Sequence, residues 1–265
     1  MLRPNSVGMQ NVMADPDTFV LLRGLIRERR HWGGFPQQLN RHFPQARILT
    51  PDLPGCGKYN QSPSPSSIPE MCERVRTRIH REIMDSKNVC LIALSMGAMM
   101  GIEWMTRYSN DFQSAVLINT SLNGVSPFYQ RLQPKNYGLI AKSIFSKDRY
   151  QRESLVYQLT VRGRHDRESI VQQWCEIARE RPVSNANFVR QLLASARYAA
   201  PKSIPKTPIL LLASQYDRLV NVRCSQQLAK MWNLSLEIHD EAGHDLPLDD
   251  GEWCCHVISQ WRDAR

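Results

Sequence analysis

Short apolar runs alternate along the chain with longer segments in which apolar residues return every three or four positions. The runs Thr18-Phe19-Val20-Leu21-Leu22, Ala46-Arg47-Ile48-Leu49-Thr50, Val89-Cys90-Leu91-Ile92, Ser114-Ala115-Val116-Leu117-Ile118-Asn119, Thr207-Pro208-Ile209-Leu210-Leu211-Leu212-Ala213 and Leu234 to His239 read as strands. Near-continuous apolar runs suit a parallel sheet covered on both sides. Trp32, Phe35, Leu39 and Phe43, then Met71, Val75, Ile79 and Ile83, then Ala98, Ile102 and Met105 keep helical spacing. A helix near Cys224 to Trp232 and a closing helix with Trp253, Val257 and Trp261 complete the pattern. Strands alternating with helices predict an α/β fold, a doubly wound, mostly parallel sheet with helices on both faces. Residues 1–17 are polar and without period, and are expected to form an arm or a vestigial edge strand.

From about Leu122 to Ser203 the strand pattern lapses. Helical candidates replace it: Glu168 to Glu180 with Ile170, Trp174 and Ile177 inward, and Ser184 to Arg197 with Phe188, Leu192 and Ala196 inward. A helical segment between two strands of a parallel sheet is placed to lie over the C-terminal strand ends as a lid. The expected division is a core of residues 1–121 and 204–265 and a lid of residues 122–203. The aromatics of that segment, Phe128, Tyr129, Tyr137, Phe145, Tyr150, Tyr157 and Trp174, are expected to fill the lid's own core, and none stands out as a substrate contact.

One stretch organises the rest. From Asn88 to Met100 an apolar run stops abruptly at Ser95 and helical spacing begins at once, so the turn between them is tight. A serine on such a turn has its hydroxyl pushed clear of the sheet, and the backbone N–H groups that follow it open a helix whose positive end favours a developing oxyanion. Ser95 is therefore the nucleophile candidate, against the plainer reading of a helix cap. The five residues Ala93-Leu94-Ser95-Met96-Gly97 resemble the G-x-S-x-G elbow of the α/β-hydrolases, with Ala93 in place of the first glycine. The stretch Asp52-Leu53-Pro54-Gly55-Cys56-Gly57 resembles that family's D-x-P-G-x-G turn.

A serine hydroxyl needs a base to take its proton and a carboxylate to orient that base. The resemblance implies the chain order serine, acid, histidine, the acid after a late strand and the histidine after the last one. Asp217 and His244 stand at those places, whereas His239 falls within the last strand and His256 within the closing helix. It further implies that the backbone N–H groups of Met96 and Leu25 form the oxyanion hole, and that the lid follows the sixth family strand. Where the family writes His-Gly this chain writes Arg23-Gly24. Gly24 keeps the backbone freedom, while Arg23 is expected either to pair with a carboxylate such as Asp52 or to meet an anionic substrate.

Composition trims the alternatives. The formal net charge of +9 is dispersed, with Arg27, Arg29 and Arg30 the tightest group, and no nucleic-acid module accompanies it. Gly55-Cys56-Gly57-Lys58 is not a phosphate loop, because Pro54 precedes it and Tyr59 follows where a Ser or Thr is required. Seven cysteines without paired spacing read as reduced thiols, and no metal site or cofactor is implied. No run reaches a membrane span and no signal-peptide core is present, so a cytoplasmic monomer or homodimer is expected. The expected activity is a serine hydrolase acting on a small or medium carboxylic ester through an acyl-enzyme. Thioester, lactone, amide or carbon–carbon cleavage, acyl transfer, and noncatalytic ligand binding on the same fold are the alternatives.

Overall fold

The computed structural model describes residues 16–163 and 165–264, so most of the segment expected to form an arm or edge strand lies outside the described residues. Six strands form one parallel sheet: β1 (Thr18–Leu22), β2 (Arg47–Leu49), β3 (Val89–Leu94), β4 (Ser114–Ile118), β5 (Ile209–Ser214) and β6 (Ser235–His239), in the order β2-β1-β3-β4-β5-β6. Helices α1 (Phe35–His42), α2 (Ile68–Met84) and α3 (Met96–Arg107) connect the first four strands. Between β4 and β5 run α4 (Phe128–Arg131), α5 (Tyr137–Phe145), α6 (Arg149–Thr160), α7 (Arg167–Glu180) and α8 (Asn185–Arg197). Then come α9 (Arg223–Trp232), α10 (Leu246–Asp249) and α11 (Gly251–Asp263).

The sheet is buried on both faces for the reason its strands are continuously apolar. Successive side chains point to opposite sides. Leu22, Leu91, Ala93, Leu117 and Leu211 meet α2, α3 and α9, while Leu21, Ile92, Leu94, Ile118 and Leu212 meet α1 and α11. Helix α2 starts where the sequence puts its signals, with the Ser67 hydroxyl accepting from the Glu70 N–H and Pro69 in the first turn. The insertion carries a small core of its own around Tyr157, Val161, Val171, Trp174 and Ile177.

Two elements differ from expectation. Strand β2 is three residues long and half exposed, because it is the sheet edge and only one neighbour covers it. The helix expected from Trp32 to Phe43 is broken into a 3-10 turn, Arg29–Trp32, and α1, since Gly33 takes a left-handed φ of 54° between them. Of the insertion's aromatics, Tyr157 and Trp174 are buried as expected, but Phe128, Tyr129, Tyr137, Phe145 and Tyr150 are exposed.

Strand order reverses direction between β1 and β3. In open parallel sheets such a switch point opens a crevice at the carboxyl ends of the strands. Gly24 follows β1 and Ser95 follows β3, so both candidates stand at that crevice.

Candidate active site

Ser95 takes φ 58° and ψ −117°, a conformation that side-chain-bearing residues rarely adopt. Three contacts hold it there. Its N–H donates to the Ile118 carbonyl at 2.9 Å, its carbonyl accepts from the Thr120 hydroxyl at 3.1 Å, and α3 begins at the next residue. Helix and strand can turn this sharply only because Gly97 has no side chain. A methyl group there would sit 2.4 Å from the Leu22 carbonyl oxygen and 2.6 Å from that of Arg23. Further along α3, Gly101 lets the helix lie against β3, since a Cβ on it would come within 2.6 Å of the Leu91 side chain, while the methyl of Ala93 would be at an ordinary 3.6 Å.

Asp217 and His244 meet directly. The Asp217 Oδ2 accepts from His244 Nδ1 at 2.6 Å, and Oδ1 accepts from the N–H groups of Leu219 and Val220 at 2.7 and 3.0 Å. With both carboxylate oxygens accepting, the imidazole carries its proton on Nδ1 and leaves Nε2 as the free base. His244 is buried, and burial, the largest single influence, lowers its pKa. The charge and hydrogen bond of Asp217, with the charge of Asp245, outweigh that and Arg23, so the pKa is raised from its ordinary value. Among the described residues the Ser95 hydroxyl makes no hydrogen bond to this imidazole. Catalytic hydrogen bonds are often long without substrate and tighten when it binds.

The histidine loop is lashed to the strand ends. Asn119, at a left-handed φ of 47°, donates from Nδ2 to the His244 carbonyl at 2.8 Å, and its Oδ1 accepts from the Ser214 N–H at 2.9 Å. The Gly243 N–H donates to Asp249 at 2.6 Å, and the Asp245 N–H donates to the Thr160 carbonyl, from the insertion, at 2.8 Å. His239 and His256 are engaged elsewhere or exposed. Nδ1 of His239 accepts from the N–H groups of Glu241 and Ala242, and His256 stands on the outer face of α11.

Arg23 does not pair with Asp52. It reaches Asp245 through two hydrogen bonds, 3.0 and 2.6 Å, both partners being buried, and its guanidinium lies 4.7 Å from the Trp32 ring. Asp52 instead accepts from the N–H groups of Arg29 and Lys58, closing its own turn, which requires Gly57 because any Cβ there would strike the carboxylate. The reach to Asp245 follows from the fold, since the loops after β1 and β6 approach each other over the rim.

The loop after β1 places Gly24 against the elbow, where a Cβ would lie 3.3 Å from that of Ser95. Beyond Leu25, Ile26 is held at a left-handed φ of 55°, costly for a β-branched residue, and its N–H donates to the fully buried Gln191 at 2.8 Å. Gln191 also donates to the Pro54 carbonyl and to Cys56 Sγ, both at 3.2 Å, so one side chain of α8 ties together two loops of the rim. Asn119, Thr120, Gln191, Asp245 and Asp249 hold the loops around these candidates, a part that sequence reasoning gave to none of them. The polar run Asn119-Thr120-Ser121 after a buried strand was the one visible hint.

The model of the alpha/beta hydrolase family matches residues 19–257, so the chain belongs to that family. Among solved structures, an esterase from Exiguobacterium antarcticum superposes with a TM-score of 0.72 at 18% identity, covering 93% of this chain and 91% of its own. The 2-hydroxy-6-oxo-6-phenylhexa-2,4-dienoate hydrolase of a Rhodococcus strain gives 0.72 at 18% identity, with 92% and 89% covered. A hydrolase from Pseudomonas aeruginosa PA01 gives 0.72 at 15%, with 92% and 89% covered. At these identities the likeness is one of fold. A sequence search of curated proteins finds no match. No helix among the described residues is long and apolar enough to cross a membrane, and no cluster of metal-ligating side chains occurs among them.

Proposed function

We propose that the chain is a serine hydrolase that cleaves a small or medium carboxylic ester, with Ser95 as nucleophile, His244 as general base and then acid, and Asp217 as the residue that orients the imidazole. The single observation that carries this is the buried 2.6 Å Asp217–His244 bond at the sheet edge where Ser95 sits on its strained turn. A binding protein that had lost its chemistry would have no use for a histidine fixed in the tautomer that leaves Nε2 bare.

In the proposed reaction Ser95 Oγ attacks the ester carbonyl as its proton passes to His244 Nε2, and Asp217 stabilises the imidazolium that forms. The N–H of Met96, the first of α3, has no carbonyl within its own helix to bond, and the N–H of Leu25 follows Gly24 beside the nucleophile. These two would hold the oxyanion, each contributing about 10²- to 10³-fold in rate. The imidazolium returns its proton to the leaving alcohol, and water then repeats the sequence on the acyl-enzyme. Residues 122–203 would act as the lid over this rim, a division supported by their separate small core and by the bonds from Gln191 and Thr160 to the site's loops.

The test is covalent. A fluorophosphonate probe should label the wild-type chain once, at Ser95 by peptide mass, and Ser95→Ala should abolish both labelling and turnover of p-nitrophenyl esters of graded acyl length. Turnover should fall by about 10⁵-fold or more. A folded wild-type protein that takes no label would remove the enzyme reading.

A further inference from the structure

Helix α5 buries a serine and exposes apolar side chains. Ser143 is its one buried residue, while Leu139, Ile140 and Ile144 are half-buried. Tyr137, Ala141 and Phe145, four residues apart, share a face of the helix and are all exposed, Phe145 to 79%. The face continues onto α4, where the ring of Phe128, 59% exposed, lies 6.2 Å from that of Tyr137. The Tyr137 hydroxyl donates to the Leu132 carbonyl at 3.1 Å, so the chain itself meets the polar need of that ring. Exposed apolar residues scattered singly are ordinary, whereas a contiguous patch marks a surface that meets something.

The charge around this face has one sign. No acidic residue occurs between Asp111 and Asp148, and Lys135, Lys142 and Lys147 all fall in that stretch. Lys142 stands on α5 beside Ala141, Lys135 is in the 3-10 turn Pro134–Asn136 that leads into the helix, and Lys147 follows its end. All three are exposed, and none makes an ion pair among the described residues. The first acids beyond them are engaged. Asp148 accepts from the Tyr150 N–H as the cap of α6, and Glu153 is buried against Arg27. Aromatic rings and unpaired lysines therefore share one exposed surface.

We propose that the face formed by α4 and α5 docks on an anionic lipid bilayer, with Phe128, Tyr137 and Phe145 entering the headgroup region and Lys135, Lys142 and Lys147 meeting lipid phosphates. A bilayer surface takes up aromatic rings at headgroup level without needing a matching shape. Its negative potential supplies the charge that the lysines lack within the chain. A second copy fits this face worse. A two-fold contact would set the patch against itself, lysines facing lysines with no carboxylate between them. The contact is peripheral, since no helix among the described residues is long and apolar enough to cross a membrane. It goes beyond the ester chemistry proposed above and does not depend on it.

Co-sedimentation of the full-length chain with vesicles tests this without any turnover. Vesicles of phosphatidylcholine containing one third phosphatidylglycerol should bind it about tenfold or more tightly than phosphatidylcholine alone, and high salt should weaken the binding. The net charge of +9 could give such a preference anywhere on the surface, so the position of the substitution decides. Lys142→Gln should weaken binding to the anionic vesicles about fivefold, and Phe145→Ser, which changes no charge, by about as much. Lys87→Gln makes the same charge change at the opposite end of the sheet, just before β3, and should stay within about twofold of wild type. Equal binding to the two kinds of vesicle would overturn the proposal, and that comparison uses wild type alone. Lys87→Gln as damaging as Lys142→Gln, or Phe145→Ser without effect, would overturn it as well. So would a dimer in lipid-free solution that Phe145→Ser dissociates, which would give the face to a second copy.

Discussion

The elbow and the helical insertion treat glycine in opposite ways. Gly97, two residues after the candidate nucleophile, has backbone carbonyls where a methyl would go, while Gly138 in α5 has no heavy atom within 4 Å of that place. The elbow's shape is set by main chain pressing on main chain, which no rotamer change relieves. The insertion meets the core differently, through side chains such as Gln191 and Asn187 of α8, whose amides reach the loops after β1 and β2. The elbow adds this steric constraint to its own hydrogen bonds, while the insertion is tied on through side-chain amides, so the two should fail in different ways when altered.

The largest effect expected on the elbow side is chemical. Asp217→Asn leaves the volume unchanged but no longer enforces the Nδ1–H tautomer, and kcat on a p-nitrophenyl ester should fall by about 10⁴-fold. Turnover within tenfold of wild type would mean another carboxylate orients His244. Next comes the pair of glycines. Gly97→Ala should cost about 3 kcal/mol in urea unfolding, because the backbone of β1 must move aside. Gly138→Ala should instead stabilise by up to about 1 kcal/mol, as expected for alanine in an open helical site. Similar values for the two would erase the contrast drawn here.

The smallest effect lies in the pH profile. In the proposed reaction His244 must be neutral to accept the Ser95 proton, so kcat/KM should fall as pH drops through the imidazole's pKa, which is raised from the ordinary histidine value. Asp245→Asn removes an influence that raises this pKa and leaves Arg23, which lowers it, unbalanced. The acid limb should move to lower pH, by less than about one unit. A limb that stays put or moves upward would show that the Arg23–Asp245 pair does not act on the histidine.

Much of this was legible in the sequence because it is local or periodic. The continuous apolar runs announce buried parallel strands, the 3.6-residue spacing announces the helices that cover them, and a serine caught between Leu94 and Gly97 announces a turn with no room in it. Asp217 and His244 were singled out by the order the family resemblance implies, and the fold brings their side chains within 2.6 Å. The break at Gly33 and the short edge strand β2 were missed, since an apolar period does not report a left-handed glycine or which strand lacks a second neighbour.

What the sequence determined by itself is the set of elements and the candidates that end them, since strand, helix and turn preferences are properties of neighbouring residues. Only the tertiary structure decided which distant groups meet. Arg23 could have paired with any carboxylate, and it was the approach of the loops after β1 and β6 that chose Asp245, 222 positions away. The same holds for Gln191 beneath Ile26, because a buried polar group's partner depends on what the folded chain brings within three ångströms, and local preference carries no record of that.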